Sequence, residues 1–138
     1  YIRPKTDFTI VLRADDAKVL RLIRSFFQCG KPVRIKNKKG SKPIAILNIN
    51  QVSDLFHIVT PHFEKFPLFA KKSRDFFIWK EAVSYLYSVS LIPMQEKRRP
   101  GRYARKWTPE RIADFQKLVD SIKTQRLFNV EEEKSQSQ

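Results

Sequence analysis

The stretch Phe8-Thr9-Ile10-Val11-Leu12-Arg13-Ala14-Asp15-Asp16 changes period partway along. Up to Arg13 apolar and polar residues alternate, the period of a strand. Ile2, Phe8, Ile10 and Leu12 share one face, and Tyr1, Arg3, Lys5, Thr9 and Arg13 share the other. From Asp15 or Asp16, read as an N-cap, the period lengthens to that of a helix ending near Phe27. Val19, Leu22, Ile23, Phe26 and Phe27 then form the expected buried stripe, with Lys18, Arg21, Arg24 and Gln28 opposite. Gly30 suits the left-handed position that closes such a helix.

Working outward, residues 31–36 and about 43–49 read as two more strands, joined by a basic hairpin turn, Asn37-Lys38-Lys39-Gly40-Ser41. Val33 and Ile35 alternate with Arg34, Lys36 and Lys38. The second strand is apolar on both faces (Ile44, Ala45, Ile46, Leu47, Ile49), so it is expected to be the more buried. Asn50 is read as the cap of a short helix carrying Val52, Leu55, Phe56 and Val59 and ending at Pro61. An apolar loop is expected over 61–72, and a helix over 73–88 with Phe76, Trp79, Val83, Leu86 and Tyr87 inward. A Pro/Arg-rich linker at 93–106 leads to a last helix opened by Thr108, Pro109 and Glu110, with Ile112, Phe115, Val119 and Ile122 on its buried stripe. The fold class is α+β, in the order β-α-ββ-α-α-α.

Lys and Arg number 28 against 14 Asp and Glu, a formal net charge of +14, and much of the excess falls on alternate strand positions. Such a sheet has an oily face for a core and a cationic face for a polyanion. A merely solvated face usually mixes signs, and no acid is read on these faces. Eleven Phe and two Trp argue against a disordered basic tail. One cysteine, Cys29, excludes an internal disulfide and a cysteine-based zinc site. No apolar run approaches the roughly 20 residues of a membrane span, so no membrane partner is expected. His57 and His62 read as surface or core histidines. The segment 96–107 holds six basic residues in twelve, interleaved with Tyr103 and Trp107, chemistry that suits phosphates and stacked bases.

Several of these segments together resemble the LAGLIDADG homing endonucleases. They are the stretch at 8–16, the helix end Phe26-Phe27-Gln28-Cys29-Gly30, the run Pro61-His62-Phe63-Glu64-Lys65-Phe66-Pro67-Leu68, the run Lys71-Lys72-Ser73-Arg74-Asp75-Phe76, and the closing helix from Trp107 to Lys123. The resemblance implies a half unit with a saddle-shaped antiparallel sheet, helices packed on one face and the other face in a DNA major groove. It assigns residues 1–125 to one nucleic-acid-binding unit, incomplete at its N-terminus, and leaves 126–138 as a solvated acidic tail. The family's metal-binding acid ends an apolar helix that the resemblance places upstream of Tyr1. No position here takes that role, and Asp15 and Asp16 read as caps. Mg²⁺ is therefore implied for an intact, site-specific double-strand endonuclease, with no metal ligand and no nuclease activity expected of this chain alone.

The nucleic-acid-binding residues expected are Arg3, Lys5, Thr9, Arg13, Arg34, Lys36, Lys38, Lys39, Lys42, Arg98, Arg99 and Arg102. By resemblance Lys71 and Lys72 are candidate phosphate stabilisers. The partners implied are duplex DNA and a second LAGLIDADG unit. The alternative is a domesticated, catalytically inactive RNA-binding relative, a splicing cofactor or a component of an organellar ribosome, with RNA or a ribonucleoprotein as its partner. The family's occurrence in mitochondria and chloroplasts implies an organelle.

Overall fold

The structure is a computed structural model that describes residues 4–93 and 106–136, with 125–136 described by backbone alone. It divides into two compact units, Lys5–Lys65 and a second that begins at Phe66.

The first unit is built on an open three-stranded antiparallel sheet in the order β1-β3-β2, from β1 (Phe8–Arg13), β2 (Arg34–Lys36) and β3 (Ile44–Ile49). The strand expected over 1–13 is thus confined to 8–13 among the described residues. β3 takes the centre, as its two apolar faces require. It pairs with β1 from Phe8↔Ile49 to Arg13↔Ile44, and with β2 from Arg34↔Ile46 to Lys36↔Ile44.

A 3-10 turn, Ala14–Asp16, joins β1 to the helix α1 (Ala17–Phe27). Asp16 occupies the N-cap position, but its side chain makes no capping hydrogen bond. Instead Asp15 pairs with Arg13 at 3.2 Å, and the Ala14 amide donates to the Pro43 carbonyl. The buried stripe of α1 is rotated from the expected one. Ala17, Leu20 and Phe27 are buried and Ile23 is half-buried, whereas Val19, Leu22 and Phe26 are exposed, Phe26 at 68%. Apolar residues wrap a wide arc of this helix. Small Ala17 allows close approach to the sheet, so Leu20 packs with Ala45 and Leu47, flanked by Ile10, Leu12 and Val33. Ile35 points the same way but lies on an edge strand and is about half exposed.

At the end of α1, Gln28 takes the left-handed conformation expected of Gly30, with φ 55°. Gly30 is itself at φ 99°, and a Cβ there would meet Ile49 Cγ1 at 2.9 Å. Both the backbone angle and the close approach to β3 therefore require glycine. Arg24 donates to the Gly30 carbonyl at 3.0 Å, fixing the turn.

The helix after β3 begins at Val52 with Gln51, not Asn50, at its cap. It does not stop at Pro61. A short α-helical turn, α2 (Val52–Asp54), passes into a π-helical turn (Leu55–Val59) and on into α3 (Thr60–Lys65). Pro61 lies inside this continuous helical run just after the π turn, the kind of local irregularity that accompanies a proline within a helix.

The second unit pairs α4 (Ala70–Ser90) with α5 (Pro109–Gln136). Its core holds Ala82, Val83, Leu86, Val89, Trp107 and Phe115. α5 opens as expected, the Arg111 amide donating to Thr108 Oγ1 at 3.3 Å. Its backbone stays helical to Gln136, through most of the stretch expected as a tail.

Candidate nucleic-acid interface

The strand register decides which side chains share a face. Phe8, Ile10 and Leu12 lie over Ile49, Leu47 and Ala45 on the core side. The other side carries three rows: Thr9 beside Asn48; Val11, Ile46 and Arg34; then Arg13, Ile44 and Lys36. Thr9, Val11, Arg13, Arg34 and Lys36 are all exposed.

This open face differs from a plain cationic surface in two ways. Its centre is aliphatic, because β3 contributes Ile44 and Ile46 there, and Ile46 is only 8% exposed. It also carries an acid. Asn48 Nδ2 donates to Asp7 Oδ2 at 2.8 Å and to Thr9 Oγ1 at 2.8 Å, while the Thr9 hydroxyl donates to the same Asp7 oxygen at 3.0 Å. Thr9 is thus engaged within a carboxylate–amide–hydroxyl cluster at one end of the face. At the other end stand Arg13, paired with Asp15, and Lys36. The strand parity that selects Thr9 selects Asp7 as well, and the pattern Ile44-Ala45-Ile46-Leu47-Asn48 puts its one polar residue outward.

Lys38, Lys39 and Lys42 are exposed in the β2–β3 link, where Gly40 takes φ 82° and the Ser41 amide donates to the Lys38 carbonyl. They extend the cationic side of the face beyond Lys36. Lys5 is exposed ahead of β1, outside the strand. Arg3, Arg98, Arg99 and Arg102 lie outside the described residues. Lys71 and Lys72 belong to the second unit, exposed in the first turn of α4, which contains no acid.

Trp107, expected to offer a ring for stacking on bases, is instead buried, 6.1 Å from Phe115 and 6.2 Å from Tyr85 between ring centroids. His62 packs among Phe26, Phe27 and Phe63, and His57 against Phe56. Burial, with the charge of Asp54, pushes the Cys29 thiol up, which leaves it protonated and a poor nucleophile at neutral pH.

Among the described residues no group of three or more His, Cys, Asp or Glu is placed to hold a metal ion. Asp7 and Asp15 are engaged as above. What the open face offers is binding chemistry: cations for phosphates or guanine edges, and an apolar centre. No helix among the described residues is long and apolar enough to cross a membrane.

A family model described as LAGLIDADG endonuclease matches residues 2–83. Solved structures of similar fold include the meganuclease I-SmaMI bound to uncleaveable DNA, at 18% identity and a TM-score of 0.62, over 84% of this chain and 33% of that one. They include the homing endonuclease I-TnaI, at 24% identity and a TM-score of 0.61, over 88% and 74%. The LAGLIDADG meganuclease I-CpaMI bound to uncleaved DNA is similar at 27% identity and a TM-score of 0.56, over 64% and 28%. The chain therefore spans about a third of the length of I-SmaMI. I-SmaMI has also been solved on its uncleaved DNA target in the presence of calcium ions. No curated protein sequence matches the chain.

Proposed function

The chain belongs to the LAGLIDADG endonuclease family, and from that premise we propose that it is a duplex-DNA-binding unit of a site-specific endonuclease. The observation that carries this reading is the register of β1-β3-β2. It gathers Arg13, Arg34 and Lys36 on the exposed face opposite the core and continues them into Lys38, Lys39 and Lys42. The major groove admits a two-stranded β-ribbon, and the exposed cations of such strands can meet base edges or phosphates. I-SmaMI and I-CpaMI, of similar fold, are solved with DNA bound.

Binding is the role assigned to the cations of the open face. In the intact enzyme a second unit of the same family completes the grip on the target. Lys71 and Lys72 hold phosphates near the cut.

The RNA-binding alternative rests on Arg98, Arg99, Arg102 and interleaved rings, and Trp107 is committed to the core. Duplex DNA is therefore the favoured ligand.

The test is a titration against duplex DNA and a structured RNA over several salt concentrations. Replacing Arg34, Lys36 and Lys38 together with Ala is expected to flatten the slope of log K against log salt for DNA by about two to three units, at about 0.9 for each phosphate no longer neutralised. An unchanged slope removes the sheet face from the interface. A weakening for RNA greater than for DNA on replacing Arg98, Arg99 and Arg102 favours the alternative.

A further inference from the structure

The cations explain affinity for a polyanion, but they leave the centre of the open face unexplained. Val11 is 51% exposed there, beside Ile46 on the middle strand, with Ile44 one row away. Arg13, Arg34 and Lys36 frame this patch on the β2 side and at one end, and the Asp7–Thr9–Asn48 cluster closes the other end. An exposed valine gains nothing from water or from a phosphate. The major groove of duplex DNA presents one aliphatic group, the C5-methyl of thymine, and apolar side chains read it by contact. Uracil lacks it. A cationic frame around an aliphatic centre therefore fits a groove with a thymine at the middle of the interface.

We propose that Val11, backed by Ile46, reads a thymine methyl group and makes the open face selective for thymine at one position of the bound duplex. This rests on the duplex-DNA reading above and adds a base to it. The register also sets a spacing. Val11 and Arg34 lie on the two edge strands, two inter-strand gaps or about 10 Å apart.

The test begins with selection of tightly bound duplexes from a random-sequence pool by the full chain. Each thymine in the selected site is then replaced singly by deoxyuridine, which removes only the methyl. At one position the wild-type chain is expected to lose about four-fold in affinity, the worth of one buried methyl-sized group. Val11→Ala is expected to bind the thymine and uracil duplexes equally, and Val11→Thr, which keeps a methyl, to retain part of the preference. Arg13→Ala is expected to weaken both duplexes while keeping their ratio. Val11 is half exposed, so its replacement leaves the core intact, and circular dichroism of the variants checks this. Selected sites without a common thymine overturn the proposal. So does a wild-type chain indifferent to every deoxyuridine, or a Val11→Ala variant that keeps the preference. Failure to retain any duplex overturns the DNA-binding reading itself, and this inference with it.

Discussion

Arg34 and Lys36 stand exposed on the open face of the sheet, whereas two cations of the helical unit reach back to their own backbone. Lys106 Nζ donates to the Ser90 carbonyl at 2.9 Å, at the end of α4, and Arg111 donates to the Lys106 carbonyl. A cation at a helix C-terminus satisfies an orphan carbonyl and opposes the dipole favourably. The aromatic residues divide in the same sense. Trp107 is enclosed by Tyr85 and Phe115, while Phe26 on α1 remains exposed. A stretch rich in basic and aromatic residues is therefore no functional signature by itself. The 106–111 segment has that composition and uses it to close a helix pair. The sheet places its cations by strand register, on a face the core does not need.

The largest expected effect falls on the helical unit. Trp107→Ala is expected to cost about 3–5 kcal/mol in denaturant unfolding, because it empties a buried aromatic site. Val11→Ala on the open face is expected to stay within about 0.5 kcal/mol of wild type. A cost for Trp107→Ala below about 1 kcal/mol would mean that the ring is not in the core, and the contrast between the two units would fail.

A smaller effect compares cation with cation. Lys106→Ala is expected to lower stability by about 1 kcal/mol, the worth of one helix-terminal hydrogen bond, and to leave the DNA salt slope unchanged. Arg34→Ala is expected to do the reverse, flattening the slope by about 0.9 with stability nearly constant. The same slope change in both variants would break the distinction.

The smallest effect is a pH dependence at the start of α5. The Glu110 carboxylate accepts from its own backbone amide and from the Thr108 hydroxyl, and its pKa is held below the ordinary 4.5. A lowered folded-state pKa contributes stability that is present above the unfolded value and lost as pH falls through the folded one. The thermal midpoint of wild type is expected to approach that of Glu110→Gln as pH drops below 4.5, the gap being widest above it. A gap independent of pH would assign the cap to Thr108 alone.

The elements legible in the sequence are those whose local pattern has one solution. β3 is apolar on both faces and lies in the middle. Thr108 and Pro109 open α5 where capping chemistry requires. α1 is not legible in rotation, because Val19, Leu22 and Phe26 make as good a stripe as Ala17, Leu20 and Phe27. Only the packing of Leu20 on Ala45 and Leu47 distinguishes them. Pro61 reads as a stop, yet the helical run continues past it just after a π turn. Of the candidate site, Arg13, Arg34 and Lys36 follow from alternation alone. Asp7 follows from the same alternation. Its hydrogen bond to Asn48 does not, because that bond spans 41 positions and depends on how β1 registers against β3. The fate of Trp107 likewise depends on Tyr85, a residue of α4.

Among the described residues β1 forms one edge of the open sheet, a Phe-Thr-Ile-Val-Leu-Arg strand that pairs with β3 on one side. Such an edge is a template for a strand from another molecule, and natural sheets blunt it with charge or cover it. Here mutual repulsion at a net charge of +14 opposes association. That protection is ionic, and its range shrinks from about 10 Å at 0.1 M salt to about 3 Å at 1 M. Colloidal stability should therefore fall as salt rises, turbidity appearing first in concentrated, salty solution and clearing on dilution into low salt. DNA binding weakens over the same range, so the ionic strength that strips the chain from its ligand also promotes its precipitation.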